Sequence, residues 1–264
     1  MTDNLAAAEA AVRACDPKAA VTLLTAAVKA QPAKPALRIF LAQLLCVLGQ
    51  WERAHTQLNV VADLKPDAGP MREMVGHALR CELLRKAVFD HRRSPMIFGE
   101  PDEWLALLIE SLLTRDNAEL ANELAGRAYD AAPVTKGLIN GEPFEWIADA
   151  DSRLGPVLEA MVNGRYYWVP FTRLAKIVME PPVDLRDRVW LPATLSFANG
   201  GEAIAMVPVR YPGTEASDDG QLLMAAKTEW REIGPDRFAG LGQRVLVTDQ
   251  GDFSLLDVKL IEFG

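Results

Sequence analysis

Two carboxylates and an arginine at alternate positions, Asp149, Asp151 and Arg153, are the residues of this sequence best placed to do chemistry. An acid/base pair, or a site for a hard metal ion, requires two carboxylates close together. If this segment is extended, the side chains of Asp149 and Asp151 lie on the same side of the strand, where Arg153 can form an ion pair with them. In the competing interpretation they are structural and cap a helix that begins near Ser152–Pro156. We favour the structural role.

Other catalytic signatures are missing from the sequence. The three histidines, His55, His77 and His91, all lie in the N-terminal half, far from the carboxylates. The sequence has no GxSxG or HExxH motif and no cysteine in a nucleophile context. The glycines of Gly240–Arg244 permit close approach to an anion, but this segment lacks a Walker lysine and leads into a strand. We interpret it as a structural turn, and predict no cofactor and no metal.

Aromatic and charged residues of the C-terminal half offer a second possible site. Large rings dominate burial in a small domain, so we interpret the tryptophans as core residues rather than as an aromatic cage. The charged residues Arg186, Asp187 and Arg188 are candidates for an ion-pair network with Asp149 or Glu229. The four tryptophans are Trp146, Trp168, Trp190 and Trp230.

An internal repeat predicts the elements of the N-terminal half. Pro32 and Pro66 are 34 residues apart, and each follows an alanine, Ala20 or Ala54, by twelve residues. A period of about 34 residues is that of the tetratricopeptide repeat, in which small residues let two helices pack closely and a proline ends the second helix. The pattern therefore predicts tetratricopeptide-like helix pairs.

Two further units continue the predicted array. The segment Pro101–Pro133 repeats the pattern, with Ala121, Ala125 and Ala128 at the small-residue positions. Between it and the first units lies a degenerate unit, a helix over about Pro70–Phe89 with one apolar stripe at three-to-four spacing. We interpret that stripe as core packing.

The composition changes after Pro133, where glycine, tryptophan and short β-rich segments become frequent. This change predicts two domains, 1–133 and 134–264, and an α+β fold whose second, smaller domain contains an antiparallel sheet. Asn199–Gly201 is a strong hairpin signal. The predicted strands around it are Arg186–Phe197 and Ala203–Tyr211; a second hairpin pairs Arg244–Thr248 with Phe253–Phe263; and short helices are predicted at Gly155–Asn163 and Phe171–Met179.

Charge and hydropathy argue against several classes of function. The formal net charge is −8, and we interpret the one dense basic run, between Arg85 and Arg93, as a solvated helix end, so nucleic-acid binding is not predicted. No apolar run approaches the length of about 18 residues that a membrane span needs. The start of the chain lacks the pattern of a secretory signal, and Cys15, Cys46 and Cys81 show no disulfide spacing. We expect a cytoplasmic protein without membrane insertion.

Stacked helix pairs form a concave groove in which an amphipathic partner helix can lay its apolar face. For Ile39, Val47 and Leu113, burial between helices is an equally open alternative. A groove with an apolar floor and acidic walls suits a helix that carries Leu/Ile beside Lys/Arg. The residues predicted to face the groove are Ile39, Gln43, Cys46, Val47, Glu103, Ala106, Glu110 and Leu113.

Six segments after residue 140 resemble a known family, the ImpE/TagJ (SciE-type) accessory proteins of bacterial type VI secretion clusters, which also begin with tetratricopeptide-like helices. The segments are Gly141–Asp151, Arg153–Pro156, Asn163–Pro170, Asp184–Trp190, Thr228–Trp230 and Gly240–Arg244. The residues that carry the resemblance are Trp146, Asp149, Asp151, Arg153, Trp168, Arg186, Trp190, Glu229, Trp230, Gln243 and Arg244.

The resemblance implies a non-catalytic protein that binds the N-terminal helix of the smaller subunit of the contractile sheath. It further implies a link to sheath assembly, or to recycling by the sheath-disassembling ATPase. The residues also leave a second class of function open. In that alternative, Asp149, Asp151 and Arg153 organise a metal- or ligand-dependent domain, and the repeats serve as a docking arm. An enzyme needs a polar pocket at these carboxylates, whereas an adaptor can have them fully paired.

Overall fold

The computed structural model describes residues 2–264 and has an α+β fold. Within this range, no helix combines the length and the apolar composition that crossing a membrane requires. The helices are α1 (Thr2–Arg13), α2 (Pro17–Ala30), α3 (Pro35–Val47), α4 (Trp51–Leu64), α5 (Gly69–Phe89), α6 (Glu103–Leu113), α7 (Ala118–Ala131) and the one-turn α8 (Gly220–Leu223).

Strands make up most of the second half. They are β1 (Met96–Ile97), β2 (Gly137–Ile139), β3 (Glu142–Phe144), β4 (Ile147–Asp149), β5 (Val157–Val162), β6 (Arg165–Pro170), β7 (Leu174–Met179), β8 (Trp190–Phe197), β9 (Glu202–Pro208), β10 (Thr228–Gly234), β11 (Arg237–Gly242), β12 (Val245–Thr248), β13 (Gly251–Ser254) and β14 (Leu260–Phe263). The largest sheet has nine strands in the order β1-β6-β5-β9-β8-β7-β14-β2-β3. Two smaller sheets have the orders β13-β12-β4 and β10-β11.

Small residues and prolines place the helix pairs as the repeat predicts. Ala20 and Ala54 are completely buried, so the helices of each pair approach closely. The side chain of Asp16 caps α2 by accepting a hydrogen bond from the amide of Ala19, and Pro17 occupies the first turn, where its missing N–H is not needed. The predicted tetratricopeptide-like array is confirmed.

The turn between α3 and α4 depends on one glycine. Gly49 has φ +65°, and its amide donates to the carbonyl of Cys46 while the amide of Gln50 donates to the carbonyl of Leu45. These two bonds form the Schellman arrangement that ends many helices with a glycine in the left-handed region. A Cβ atom at Gly49 would lie 2.6 Å from the Cβ of Glu215. The turn therefore also serves as a close contact with the C-terminal half.

Two predicted helices in the C-terminal half are wrong. Gly155–Asn163 contains strand β5, and Phe171–Met179 contains a single 3₁₀ turn followed by strand β7. All six residues of β5 are buried, and a short apolar run that is covered on both faces lacks the alternation that distinguishes a strand from a helix. Ser152–Pro156 is a turn rather than the start of a helix.

The hairpin predictions are partly right. The turn at Asn199–Gly201 joins β8 to β9 as expected. In the second hairpin β12 pairs with β13, but the chain then leaves that sheet, and β14 pairs with β7 and β2 in the nine-stranded sheet. The return strand predicted over Phe253–Phe263 is therefore two strands in different sheets.

The helices and the nine-stranded sheet share one hydrophobic cluster. It contains Leu44 and Val47 of α3, Cys81 of α5, and Trp168 and Trp190 of strands β6 and β8. Strand β1, which lies between α5 and α6, pairs in parallel with β6 and extends the sheet. The helical array is therefore packed directly on the sheet rather than tethered to it.

We expect the substitution Gly49→Ala to lower the free energy of unfolding by more than Gly200→Ala does. Both glycines have positive φ, which costs an L residue about 1–2 kcal/mol, but only Gly49 would also collide with Glu215. Chemical denaturation of the two variants measures the difference. Equal losses would contradict the close contact.

Candidate functional site

A buried chain of charged side chains joins α5 to the sheets. Arg85 donates from Nε to Oε1 of Glu159 at 2.7 Å and from Nη2 to Oε2 at 2.8 Å. Arg244 lies beyond, with its Nη1 3.3 Å from Oε2 of Glu159. Its Nε and Nη2 donate to Oδ2 of Asp149 at 2.8 and 2.5 Å. These four residues are at most 4% exposed, so we call Arg85, Glu159, Arg244 and Asp149 the buried charge chain.

Neutral donors complete the coordination of its carboxylates. The hydroxyl of Tyr166 donates to Oε1 of Glu159 at 2.5 Å, and the indole N–H of Trp168 donates to that hydroxyl at 2.7 Å. At the other end, the hydroxyl of Tyr211 donates to Oδ1 of Asp149 at 3.0 Å. Buried carboxylates are tolerated only when their lone pairs are satisfied in this way.

The electrostatics differ between the two carboxylates. Burial opposes ionisation of Glu159, but Arg85, Arg244 and the Tyr166 hydroxyl outweigh it and hold its pKa below the ordinary value. Burial raises the pKa of Asp149 to about 6, against the opposing effect of Arg244. Both groups are therefore ionised at neutral pH, and the charge of Glu159 is the better stabilised.

The Asp151–Arg153 pair forms a second ionic group beside the chain. Oδ1 of Asp151 accepts from the amide and Nε of Arg153 at 2.9 and 2.8 Å, and Oδ2 accepts from Nη2 of Arg153 at 2.5 Å. Oδ2 also accepts from the amide of Gly240 at 3.0 Å. Oδ1 of Asp149 accepts from the amide of Asp151 at 2.9 Å. Every oxygen of the two aspartates thus has protein donors, and the geometry leaves none for a metal or a substrate.

The segment Gly240–Arg244 binds no phosphate and is structural, but it is the end of strand β11 and the link to β12 rather than the predicted turn. Gly242 ends β11 with φ +87°, and its amide donates to the hydroxyl of Thr214. Arg244 belongs to the buried charge chain. These glycine amides bind groups of the protein itself and do not form a phosphate loop. Among residues 2–264, no cluster of three or more potential metal ligands is found.

A second buried arginine, Arg210, connects the network to the C-terminal end of α3. Nη1 of Arg210 donates to the carbonyls of Val47 and Leu223 at 2.7 and 2.6 Å. Nη2 of Arg85 donates to the carbonyl of Arg210 at 2.8 Å. Burial lowers the pKa of Arg210 to about 10, so its guanidinium remains charged near the negative end of the α3 dipole.

The tryptophans divide into two classes. Trp168 and Trp190 are completely buried, as predicted. The interpretation of Trp146 and Trp230 as core residues is wrong, because they are 40% and 43% exposed. The indole N–H of Trp190 donates to Oε1 of Glu82 at 2.7 Å, and its ring lies 5.7 Å from that of Trp51. Trp230 lies in β10, and its ring packs against that of Tyr211. Trp146 lies immediately before β4, which belongs to a different sheet.

Arg186 does not pair as expected. Its guanidinium contacts Asp187 of the same 3₁₀ turn at 3.1 Å and Asp184, the N-cap residue of that turn, at 3.7 Å. Glu229 pairs with Lys227 at 2.6 Å. The prediction that Arg186 joins Asp149 or Glu229 is therefore wrong, because local partners in its own turn are closer.

Gln243 has a structural role in the turn before β12. Its amide nitrogen donates to the carbonyl of Ala225 at 3.0 Å, and its amide oxygen accepts from the backbone of Leu256 at 3.0 Å. Both ends of the side chain are thus used to hold neighbouring loops.

The predicted concave groove is partly filled by the protein's own C-terminal half. Cys46 and Val47 are buried, because Arg210 and the 3₁₀ turn at Leu185–Arg188 pack against α3. The prediction that these two residues face an open groove is wrong. Of the others, Ile39, Gln43 and Leu113 are half-buried and Glu103, Ala106 and Glu110 are exposed.

Several residues of the network were not expected from the sequence, and the interpretation of Arg85 as part of a solvated helix end is wrong, because Arg85 is buried against Glu159. The unexpected residues are Glu82, Arg85, Glu159, Tyr166, Arg210 and Tyr211. One signal was available: Glu159 is the only charged residue in the apolar run Val157–Val162, and Arg85 interrupts the apolar face of α5. A charge inside a buried element requires a buried partner.

Comparisons with known proteins agree with this architecture. The model of the ImpE protein family matches residues 141–262, and that of the tetratricopeptide repeat matches residues 5–74. The type VI secretion system accessory component TagJ of Pseudomonas aeruginosa is 46% identical over 246 residues, which cover 92% of this chain and 86% of that protein. The crystal structure of protein VPA1032 from Vibrio parahaemolyticus superposes with a TM-score of 0.87 at 24% identity, covering 97% of both chains. This likeness supports the fold.

We expect Glu159→Gln to lower the free energy of unfolding by about 3–5 kcal/mol, because it leaves Arg85 buried without its carboxylate. The matched control is Glu262→Gln, which removes a half-exposed partner of Lys176 and should change stability by about 0–1 kcal/mol. Denaturant unfolding of both variants tests this. A loss below about 1 kcal/mol for Glu159→Gln would show that the network is not important for stability.

Proposed function

This chain belongs to the ImpE/TagJ family of type VI secretion accessory proteins, and we propose that it is a non-catalytic adaptor. In this proposal its helical repeats hold the N-terminal helix of the small subunit of the contractile sheath. The family membership supports an accessory role in type VI secretion. The partner helix and the effect on the sheath are our proposal.

The observation that carries the proposal is how the charged residues of the C-terminal half are used. Asp149, Asp151, Arg153 and Arg244 satisfy one another inside the protein. They form a rigid support. A small polar cleft of about 150 Å³ lies beside Arg153 and Arg85, but neither aspartate lines it, which argues against the alternative of a metal- or ligand-dependent enzyme. The accessible helices then provide the contact surface, as in other helical repeat proteins.

A helix-binding role fits the physical character of the array. Rigid helix pairs lose little conformational entropy when a partner binds, so most of the contact energy contributes to affinity. Once bound, the sheath helix would be unavailable to neighbouring subunits and to the recycling ATPase. Through this competition the protein would influence sheath assembly or recycling. We place this activity in the cytoplasm, where free cysteines such as Cys46 and Cys81 persist.

We expect calorimetric titration with a synthetic peptide of that sheath helix to show saturable 1:1 binding. A peptide of the same composition in scrambled order should give no binding, because the apolar positions would no longer lie on one face. The affinity should be the same in the presence of EDTA, since both aspartates are already paired. Absence of binding by the peptide and by the intact sheath subunit would overturn the proposed function, and a requirement for a divalent cation would favour the alternative.

A further inference from the structure

Strand β10 has a free edge. It pairs with β11 to form a two-stranded sheet, and no other strand of the described chain joins that sheet. The pairing is regular from Thr228, opposite Gly242, to Glu232, opposite Phe238. The amide and carbonyl groups of β10 that point away from β11 have no backbone partner within residues 2–264. An unpaired edge of this kind is a template for a further strand.

The side chains along this edge are accessible. Glu229, Trp230, Arg231 and Glu232 form an exposed run. The ring of Trp230 packs against that of Tyr211, with 5.5 Å between the ring centroids, although about two-fifths of the tryptophan remains exposed. An anchored and partly exposed tryptophan is typical of a protein-binding surface. Glu229 and Trp230 also belong to the residues that carry the family resemblance, yet neither takes part in the buried charge chain.

The sequence of this edge is complementary to itself. When a strand pairs symmetrically with a second copy in the antiparallel direction, the residue at the two-fold axis lies opposite its own counterpart. With Trp230 at the axis, Glu229 of each protomer faces Arg231 of its partner, and Thr228 faces Glu232. An aromatic pair is then flanked by two ion pairs, and no like charges face each other.

The other symmetric registers are unfavourable. A pair centred on Glu229 or Glu232 would bring two carboxylates face to face, and a pair centred on Arg231 would do the same with two guanidinium groups. A pair centred on Thr228, where the strand begins, would leave the second half of β10 without partners. Beyond Glu232 the strand is irregular. Trp230 is therefore the residue best suited to lie on a two-fold axis.

We propose that the chain forms a symmetric dimer through β10, so that the occupant of the free edge is a second copy of the chain. The two small sheets join into one antiparallel sheet with the order β11-β10-β10-β11. Burial of the two Trp230 rings supplies the apolar part of the contact, and the two pairs of Glu229 with Arg231 fix its register. Phe238, which is 43% exposed and lies on the same face as Trp230, borders the contact. The dimer requires no sheath helix or other partner.

The first test is the oligomeric state of charge-reversal variants, measured by sedimentation. Arg231→Glu places carboxylates opposite carboxylates, and Glu229→Arg places guanidinium groups opposite guanidinium groups, so each variant should weaken self-association at least tenfold. An equimolar mixture of the two variants should form a heterodimer, because every facing pair is then opposite in charge. The matched control is Glu232→Arg, which faces the neutral Thr228 and should leave dimerisation unchanged. All three positions are exposed, and circular dichroism checks that the variants fold.

The second test does not depend on charge. Trp230→Cys would place two thiols directly opposite each other, with Cα atoms about 4.5–5.5 Å apart, a separation that a disulfide can bridge. Mild oxidation should therefore give a covalent dimer. In the control Glu232→Cys, four residues, roughly 14 Å along the strand, would separate the two thiols, and no covalent dimer should form.

Three results would overturn the proposal. The first is a wild-type protein that remains monomeric at about 100 μM, far above the dissociation constants of specific interfaces, which would leave the edge open to an extended segment of another protein. The second is dimerisation that both charge-reversal variants retain, or that their mixture fails to restore. The third is crosslinking of Glu232→Cys in place of Trp230→Cys, which would show a different register. The proposed function stands in each case, because it needs no dimer.

Discussion

The buried pairing of Arg85 with Glu159 is the interaction on which the rest of the structure depends. Arg85 comes from helix α5 and Glu159 from strand β5 of the large sheet, and 74 positions separate them in the chain. Neither charge is tolerable in the interior without the other. The pairing therefore requires α5 and β5 to fold against each other, and Arg244, Asp149 and Arg210 extend the requirement to three further segments.

This constraint explains how a chain with two kinds of secondary structure presents one rigid surface. Arg210 holds the C-terminal end of α3, while Trp190 contacts Trp51 and Glu82 and so sets α4 and α5 relative to the sheet. The concave face near Val47 is consequently used for internal packing.

The sequence pattern was enough to predict the helices and the hairpin, because these depend on residues that are close together in the chain. The 34-residue period, the buried alanines and the long helix ending at Phe89 could all be read from the chain, as could the hairpin at Asn199–Gly201. Strand β5 was mistaken for a helix because both of its faces are covered. The partner of Asp149 is 95 residues away, and nothing near Asp149 in the sequence distinguishes Arg244 from Arg153 or Arg186. The filling of the groove at Cys46 and Val47 is likewise a tertiary effect.

Hydrogen exchange of the wild-type protein tests the central claim most directly. If the buried charge chain makes the helices and the sheet one cooperative unit, the amides of α5, β5 and β6 exchange only through global unfolding and report the same free energy of opening. That free energy should equal the value obtained from denaturant unfolding. Exchange of α5 at a much lower free energy, while β5 and β6 remain protected, would show that the helical array opens on its own and would contradict the account.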